Sequence, residues 1–581
     1  MTPSSPVRPR SVTRQAGQYA ARRRDPAPLL LASGLSAESV AELLAPFGFE
    51  DIKRADDNIQ AMAGEPRARM FLAKILGELL ESLAQTADQD QGLNHWERFL
   101  QAGLNRGQLF EYLGGAPRMN HLLSAIFGNS PAMAQTLIRD PLLVYWLAEE
   151  QVLTRRPSRE AMARALRTML NNVTALELRL EALRRFRRRE MLRIGVRDLL
   201  RLADVQETTA TLTDLACVLI QAAYEITAAG LRERYGRPMH RDRKGKLVET
   251  GFAIIAMGKL GGGELNFSSD VDLIYVYASD EGETQTGPQQ GRGSRAQSRG
   301  SQPSIPNEEY FEYLARDVTR ALADVTQEGY VFRVDLRLRA EGAVGQLARP
   351  LDGYGQYYQT RGESWERLAL LKAWPIAGDV SVGQAFLRRV GPFVFGLSGS
   401  RGKGQSPSVV IEQVKSIKEM IDAKIGDRGQ ERRNVKLGMG GIREIEFIVQ
   451  AAQVLCGGRL PGLRDRSTMG ALAKLARYGL LSSKDRQALA KAYLFLRDVE
   501  HKLQMVHDLQ THTLPESADE LTRCAVRLGY ASANRLGATR RFLTDHRRHT
   551  AKVHRIFQRL VGVPARSGLL KAARKPLVAK S

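Results

Sequence analysis

Met257-Gly258-Lys259-Leu260-Gly261-Gly262-Gly263-Glu264-Leu265-Asn266-Phe267-Ser268-Ser269-Asp270-Val271-Asp272-Leu273 is the stretch on which the fold turns. It follows the apolar run from Phe252 to Met257 and leads into a second, from Leu273 to Ala278. Short apolar runs broken by glycine read as buried strands joined by a tight turn. Asp270 and Asp272 open the second strand, and residues two apart point to the same face, so both carboxylates converge. Paired carboxylates repel unless a cation lies between them, and Mg²⁺ with substrate phosphates suits that arrangement. Glycines let backbone N–H groups approach phosphate oxygens without a Cβ in the way.

A third acid, Asp335, stands in the alternating run from Tyr330 to Arg339. Read as a strand, the run places Arg333, Asp335, Arg337 and Arg339 on one face, suited to metal and phosphate together. Gly258-Lys259 is not a Walker loop, because Leu260 stands where Ser or Thr would hold the metal. No HExxH or GxSxG occurs, which sets aside zinc-hydrolase and serine-hydrolase chemistry.

Outward from this core the period becomes helical. Residues 36–206 read as helices, with Leu166, Leu170, Val173, Leu176, Leu180 and Leu183 striping one long arginine-rich helix. After Val380 helices return, striped by Ile411, Val414, Ile417 and Ile421 and by Leu489, Tyr493, Leu496, Val499 and Leu503. The expected layout is a basic disordered tail over 1–30, a helical domain over 31–206 and a sheet core over 207–385. A helical bundle over 386–563 and a basic tail over 564–581 follow. Residues 281–307, rich in Gly, Ser, Gln and Arg, are expected to form a disordered loop within the core.

The whole chain has 581 residues, 86 Lys+Arg against 63 Asp+Glu and a net charge of +23. The charge falls in three groups (the N-terminal 25 residues, 155–201 and the tail after Arg541) without interleaved aromatics, so nucleic acid is not the expected partner. The run Arg184, Arg185, Arg187, Arg188 and Arg189 reads as a solvated helix face. Three dispersed cysteines give neither a disulfide framework nor a zinc site, and no run of about 18 apolar residues predicts a membrane span. A soluble cytoplasmic protein is expected.

A glycine turn, Asp-x-Asp and a third Asp on a later strand resemble the DNA polymerase beta type of nucleotidyltransferase. Within that superfamily the chain closely resembles the glutamine synthetase adenylyltransferase/adenylyl-removing enzymes. The likeness extends to residues 184–198 (RRFRRREMLRIGVRD), 362–373 (GESWERLALLKA), 434–449 (NVKLGMGGIREIEFIV) and 492–515 (AYLFLRDVEHKLQMVHDLQTHTLP). It implies an α+β fold, with a polymerase beta-like core of small mixed sheet between N- and C-terminal helical domains. It also implies Asp270, Asp272 and Asp335 as catalytic Mg²⁺ ligands. Gly258, Lys259, Gly261, Gly262, Ser269, Arg337 and Arg339 would bind phosphate or nucleotide. The family carries two catalytic halves; here one Ser-Asp-x-Asp-Leu turn occurs, worded like the N-terminal, removing half. The implied reaction is phosphorolytic removal of AMP from a tyrosine of glutamine synthetase, giving ADP. ATP-dependent addition and a catalytically idle regulator are the alternatives. Partners implied are glutamine synthetase, orthophosphate, ADP or ATP, and the PII signalling protein. Glu444 and Glu446, behind Gly440-Gly441, read either as ligands or as first-turn acids favoured by the helix dipole. Trp365-Glu366-Arg367 reads as packing plus an ion pair.

Overall fold

The structure is a computed structural model that describes residues 25–285, 304–396, 407–426, 429–530, 535–562 and 567–573. The fold is α+β, mostly helical with two small sheets. It forms two compact units, Met1–Ala148 and Glu149–Ser581.

In the first unit, short helices run from Pro28 to Ala148. Their starts follow from local chemistry: Ser36, Asp51, Asp88, Asn105 and Ser130 each accept a hydrogen bond from a first-turn backbone N–H. Trp96, Phe99 and Phe127 fill the core, with Trp96 and Phe127 edge to face at 5.1 Å. A Cβ on Gly92 would lie 3.1 Å from the Gly128 Cα, so glycine permits this close helix approach.

The second unit is built on the helix Val205–Tyr235, packed against Leu176–Leu199, Asn307–Ala323 and the sheet. By length and composition this helix could cross a membrane, contrary to the sequence reading, but 67% of its apolar window is buried inside the protein. The strands are β1 (Arg237–Arg241), β2 (Leu247–Glu249), β3 (Phe252–Ala256), β4 (Val271–Tyr277), β5 (Thr284–Gln285), β6 (Val334–Asp335), β7 (Ala348–Pro350) and β8 (Trp374–Gly378). The main sheet runs β6-β4-β3-β8, and β7 also pairs with β4. β3 is antiparallel to β4 and β8, whereas β6 and β7 run parallel to β4. One face carries Phe252, stacked on Tyr224 and Phe311. The other carries Ile255, Ile274 and Val276, which join the core of the C-terminal helices. Asp272 shares the parity of Ile274 and Val276, so it leaves the sheet on the side of those helices.

Several expectations are corrected. Only Val334 and Asp335 of the alternating run from Tyr330 to Arg339 enter the sheet; Arg339 N then bonds Leu336 O at 3.2 Å, closing a turn. The single arginine-rich helix is two, Arg159–Asn171 and Leu176–Leu199, and Leu176 and Leu178 at the break are exposed. Asn171-Asn172 and Thr174 explain the break, since their side chains compete for backbone hydrogen bonds. The expected domain limits at 206 and 385 fall inside the helices Val205–Tyr235 and Val380–Phe395.

The ends of the expected disordered loop are ordered: β5 pairs with β1, and Asn307 donates to the Met239 and Glu281 carbonyls. Residues 286–303 lie outside the described residues, as do 1–24 and 574–581. The nominal tails contain packed pieces, with Leu29, Leu30, Leu569 and Leu570 buried. The arginine run is only partly solvated: Arg184 is buried and Arg187 and Arg188 are largely covered, whereas Arg185 and Arg189 stay partly exposed. Arg184 donates to the Asp324 carbonyl at 2.9 Å, Arg187 lies 4.9 Å over the Tyr330 ring, and Arg188 pairs with Glu328. It thereby anchors the loop that delivers β6.

Candidate active site

β6 brings the third acid to the first two. Val271 pairs with Val334 and Asp272 with Asp335, so the two carboxylates sit side by side on parallel strands. Asp270 precedes β4 and accepts from Arg333 Nε at 2.7 Å, while Arg333 also donates to the Ser268 carbonyl and the Tyr330 hydroxyl. Asp335 accepts from the backbone and guanidinium of Arg337, at 2.8 and 2.6 Å. Burial pushes the Asp335 carboxyl up, but those bonds and the Arg337 charge outweigh it and hold it below the usual range. Asp272 makes no ion pair among the described residues, and burial, then the Asp335 charge, pushes its carboxyl up to about 6.

The glycines divide in function. Gly258 has φ +55°, and a Cβ there would stand 2.1 Å from Asp272 Oδ2, so only glycine fits beside that carboxylate. Gly261 and Gly262 do not face the cavity. A Cβ on Gly261 would lie 2.1 Å from the Lys372 carbonyl, and the N–H groups of both already bond Met257 and Gly258 carbonyls. Their role is close packing, which corrects the phosphate-cradle expectation for this pair. Arg339 is likewise withdrawn: buried, it donates to the carbonyls of Leu336, Ala343 and Gly345.

A cavity of about 580 Å³ joins what remains. Gly258, Lys259, Ser269, Asp270, Asp272, Asp335 and Arg337 line its sheet wall. The helical wall holds Glu446, which the sequence had offered as a candidate, with Lys372, Lys436, Arg443 and Arg497, which it had not. Lys372 lies between Glu446 at 2.7 Å and Glu264 at 3.4 Å. Lys259 meets the fully buried Glu500 at 2.9 Å, and burial lowers its ammonium to about 7. Glu500 also accepts from Asn266 at 2.6 Å and faces His512 Nδ1 at 2.8 Å. Lys436 makes no ion pair among the described residues, and burial lowers its ammonium too.

Glu444 pairs with Lys418 and lies 3.1 Å from His554 Nδ1, and Glu446 pairs with Lys372 and Arg443. Glu366 caps its helix and accepts from the Tyr357 hydroxyl, which fits the packing half of the reading, but it makes no ion pair among the described residues, and Trp365 lines the cavity. All three cysteines are buried and unpaired. No group of three His, Cys, Asp or Glu side chains is gathered as closely as a metal ion requires among the described residues. Arginines hold Asp270 and Asp335, whereas Asp272 has only the more distant charges of Lys436 and Lys259 to offset its own.

Residues 120–389 match the family model for glutamate-ammonia ligase adenylyltransferase, and residues 415–561 match the model for PII-uridylyltransferase. Among curated proteins, the bifunctional glutamine synthetase adenylyltransferase/adenylyl-removing enzyme of Mesorhizobium japonicum is 36% identical over 477 residues, 80% of this chain and 43% of the relative. The enzymes of that name from Rhizobium meliloti and Xanthomonas campestris are 41% and 40% identical, each over 60% of this chain and 33% and 34% of their own lengths. The chain thus spans between a third and under half of the relatives it matches. The family-model match contains the glycine turn, all three aspartates and the strands that carry them, and over these residues the chain is similar to the glutamate-ammonia ligase adenylyltransferase family.

Proposed function

We propose that this chain is a cytoplasmic nucleotidyltransferase with a polymerase beta-like core that removes AMP from adenylyl-tyrosine of glutamine synthetase by phosphorolysis. One observation supports the reading: Asp272, which has no ion pair among the described residues, lies beside Asp335 on the paired strands β4 and β6 in a cavity that Lys436, Arg443 and Arg497 also line. The relatives' names supply the synthetase and the adenylyl group. Removal rather than addition rests on the wording of Glu264 to Asp270, which resembles the family's N-terminal half.

Mg²⁺ fits the residues present. The ion takes one or two carboxylates and completes its shell with water and phosphate oxygens, so Asp272 and Asp335, with Asp270 beside them, suffice. Bound there, it would supply charge neutralisation at the reacting phosphorus. The chain's own residues do the rest. Lys436 and Lys259 line the same cavity as the aspartates and would hold orthophosphate against the adenylyl phosphorus. Orthophosphate is already ionised at neutral pH, so its oxygen attacks without a strong base. The phosphorus–tyrosine bond breaks with its electron pair on the phenolic oxygen, which takes a proton from solvent. ADP and free tyrosine result. In the reverse sense Asp335, held ionised by Arg337, would accept the tyrosine proton.

Incubation with unmodified synthetase and labelled ATP separates the directions. No label should reach the synthetase; labelling would replace removal with addition. A second reading, a non-catalytic regulator that docks the synthetase or a PII protein through its C-terminal helices, is favoured by the match over residues 415–561. It predicts binding without nucleotide release.

A further inference from the structure

Of the segment Trp365-Glu366-Arg367, Trp365 alone lines the cavity, and it stays 36% exposed. The other tryptophan of this unit, Trp374, has the Arg466 guanidinium 4.1 Å over its ring, whereas among the described residues no ring or cation stacks on Trp365. The Trp365 indole is nevertheless held. Its Nε1 donates to Glu363 Oε2 at 2.6 Å, and the Glu363 backbone N–H donates to Glu366 Oε2 at 2.7 Å. Glu366 in turn accepts from the Tyr357 hydroxyl at 3.1 Å. The polar edge of the ring is thus engaged while its faces carry no partner. Such an exposed aromatic inside a charged cavity offers a flat apolar surface that a planar ligand covers best.

We propose that Trp365 is the platform on which the base of the bound nucleotide stacks. The proposal rests on the nucleotide-transfer reading above and names the residue that receives the base. Position supports it. Trp365, Leu368, Ala369 and Lys372 all line the cavity, and their spacings of three, one and three place them on one helical face. That face runs along the helix Ser364–Leu370 and into the turn that ends it, where Lys372 N bonds Ala369 O at 3.1 Å. At the Lys372 end it meets the glycine turn, since the Lys372 carbonyl fills the space that a Gly261 Cβ would need. Seven residues of helical rise set Trp365 about 10 Å further along. The span from diphosphate to base in an extended nucleotide is of that order. Every base has a π-face, so a stacked indole adds affinity without choosing among bases.

Tryptophan fluorescence and calorimetry of the full chain with ADP and with pyrophosphate, each with Mg²⁺, test this. Pyrophosphate keeps a diphosphate and lacks the base. ADP should quench the wild-type emission. Trp365→Phe should abolish that quenching yet hold ADP within ~3-fold, because phenylalanine still stacks. Trp365→Ala should weaken ADP ~5- to 100-fold and leave pyrophosphate within ~2-fold. ADP bound as tightly as by the wild type in a folded Trp365→Ala chain, checked by its unfolding transition, overturns the proposal. Equal weakening of ADP and pyrophosphate also overturns it, since the whole site is then lost. So does a Trp365→Ala chain whose sole defect is a raised KM for adenylylated synthetase, which assigns the indole to the protein substrate. If that variant does not fold, equal quenching in the wild type and Trp365→Phe overturns the proposal instead. Wild-type binding of neither ligand removes the nucleotide-transfer reading and the proposal together.

Discussion

On the sheet wall of the cavity, Asp272 lies against Asp335 with no cation on its carboxylate, which burial and its neighbours push up to about 6. On the helical wall, Glu446 is buried more deeply than Asp272, yet Lys372 and Arg443 hold it down to about 2 against that burial. Glu500 likewise has Lys259, Asn266 and Arg497 about it. The same residue types thus serve two ends. Apart from Lys436, which has no ion pair among the described residues, the charges of the helical wall are paired in a network that holds the glycine turn against the C-terminal helices, whereas Asp272 on the sheet wall is left for a ligand to engage. Buried charge without a partner is costly, and it persists where function uses it.

Removing charge from each wall should therefore act on different observables. Asp272→Asn should cut ADP release by ~10²–10³ or more, while the unfolding temperature holds or rises as the repulsion with Asp335 is relieved. A variant that keeps its activity would erase the distinction between the walls. Glu500→Ala should do the reverse. It leaves Lys259, Arg497 and His512 without their shared anion, at about 3–5 kcal/mol in urea unfolding. Unchanged stability would show that the network is not what holds the turn.

The pH dependence sharpens the helical side. Next to Glu500, His501 is fully buried, accepts from the Phe267 N–H, and is lowered by burial to about 4. Its folded value lies below the ordinary 6.5, so the unfolded chain binds the proton first. Its contribution is complete above pH 6.5 and is lost as pH falls through about 4, amounting to about 3 kcal/mol. Stability measured from pH 7 to 4 should fall less steeply in His501→Gln than in the wild type. The smallest effect is expected at Arg337, whose side chain is 78% exposed beside Asp335. Arg337→Ala should cost no more than ~1 kcal/mol of stability and raise the phosphate requirement only a few-fold.

The strands β3 and β4 and the turn between them are legible in the sequence because continuous apolar runs end at glycine. The same signal fails at residues 330–339. Alternation marks residues that could pair, but not where pairing stops, and here the Arg339 guanidinium captures its own turn's carbonyls. Glycine itself is ambiguous: Gly258 makes room for a carboxylate, whereas Gly261 makes room for the Lys372 backbone. Lys436 was hidden for another reason. It is a single polar residue more than 160 positions beyond Asp272, and only tertiary packing brings it to the cavity. It lies in residues 434–449, a segment the family likeness had marked without giving its residues a task.

The central claim is that the charge left on the sheet wall serves transfer of AMP to orthophosphate. The direct measurement is nucleotide release from adenylylated glutamine synthetase by the purified chain with Mg²⁺, with and without orthophosphate. The account predicts ADP that depends on phosphate and almost no nucleotide without it. Release of AMP with phosphate omitted, or no release from the modified synthetase under either condition, would contradict it.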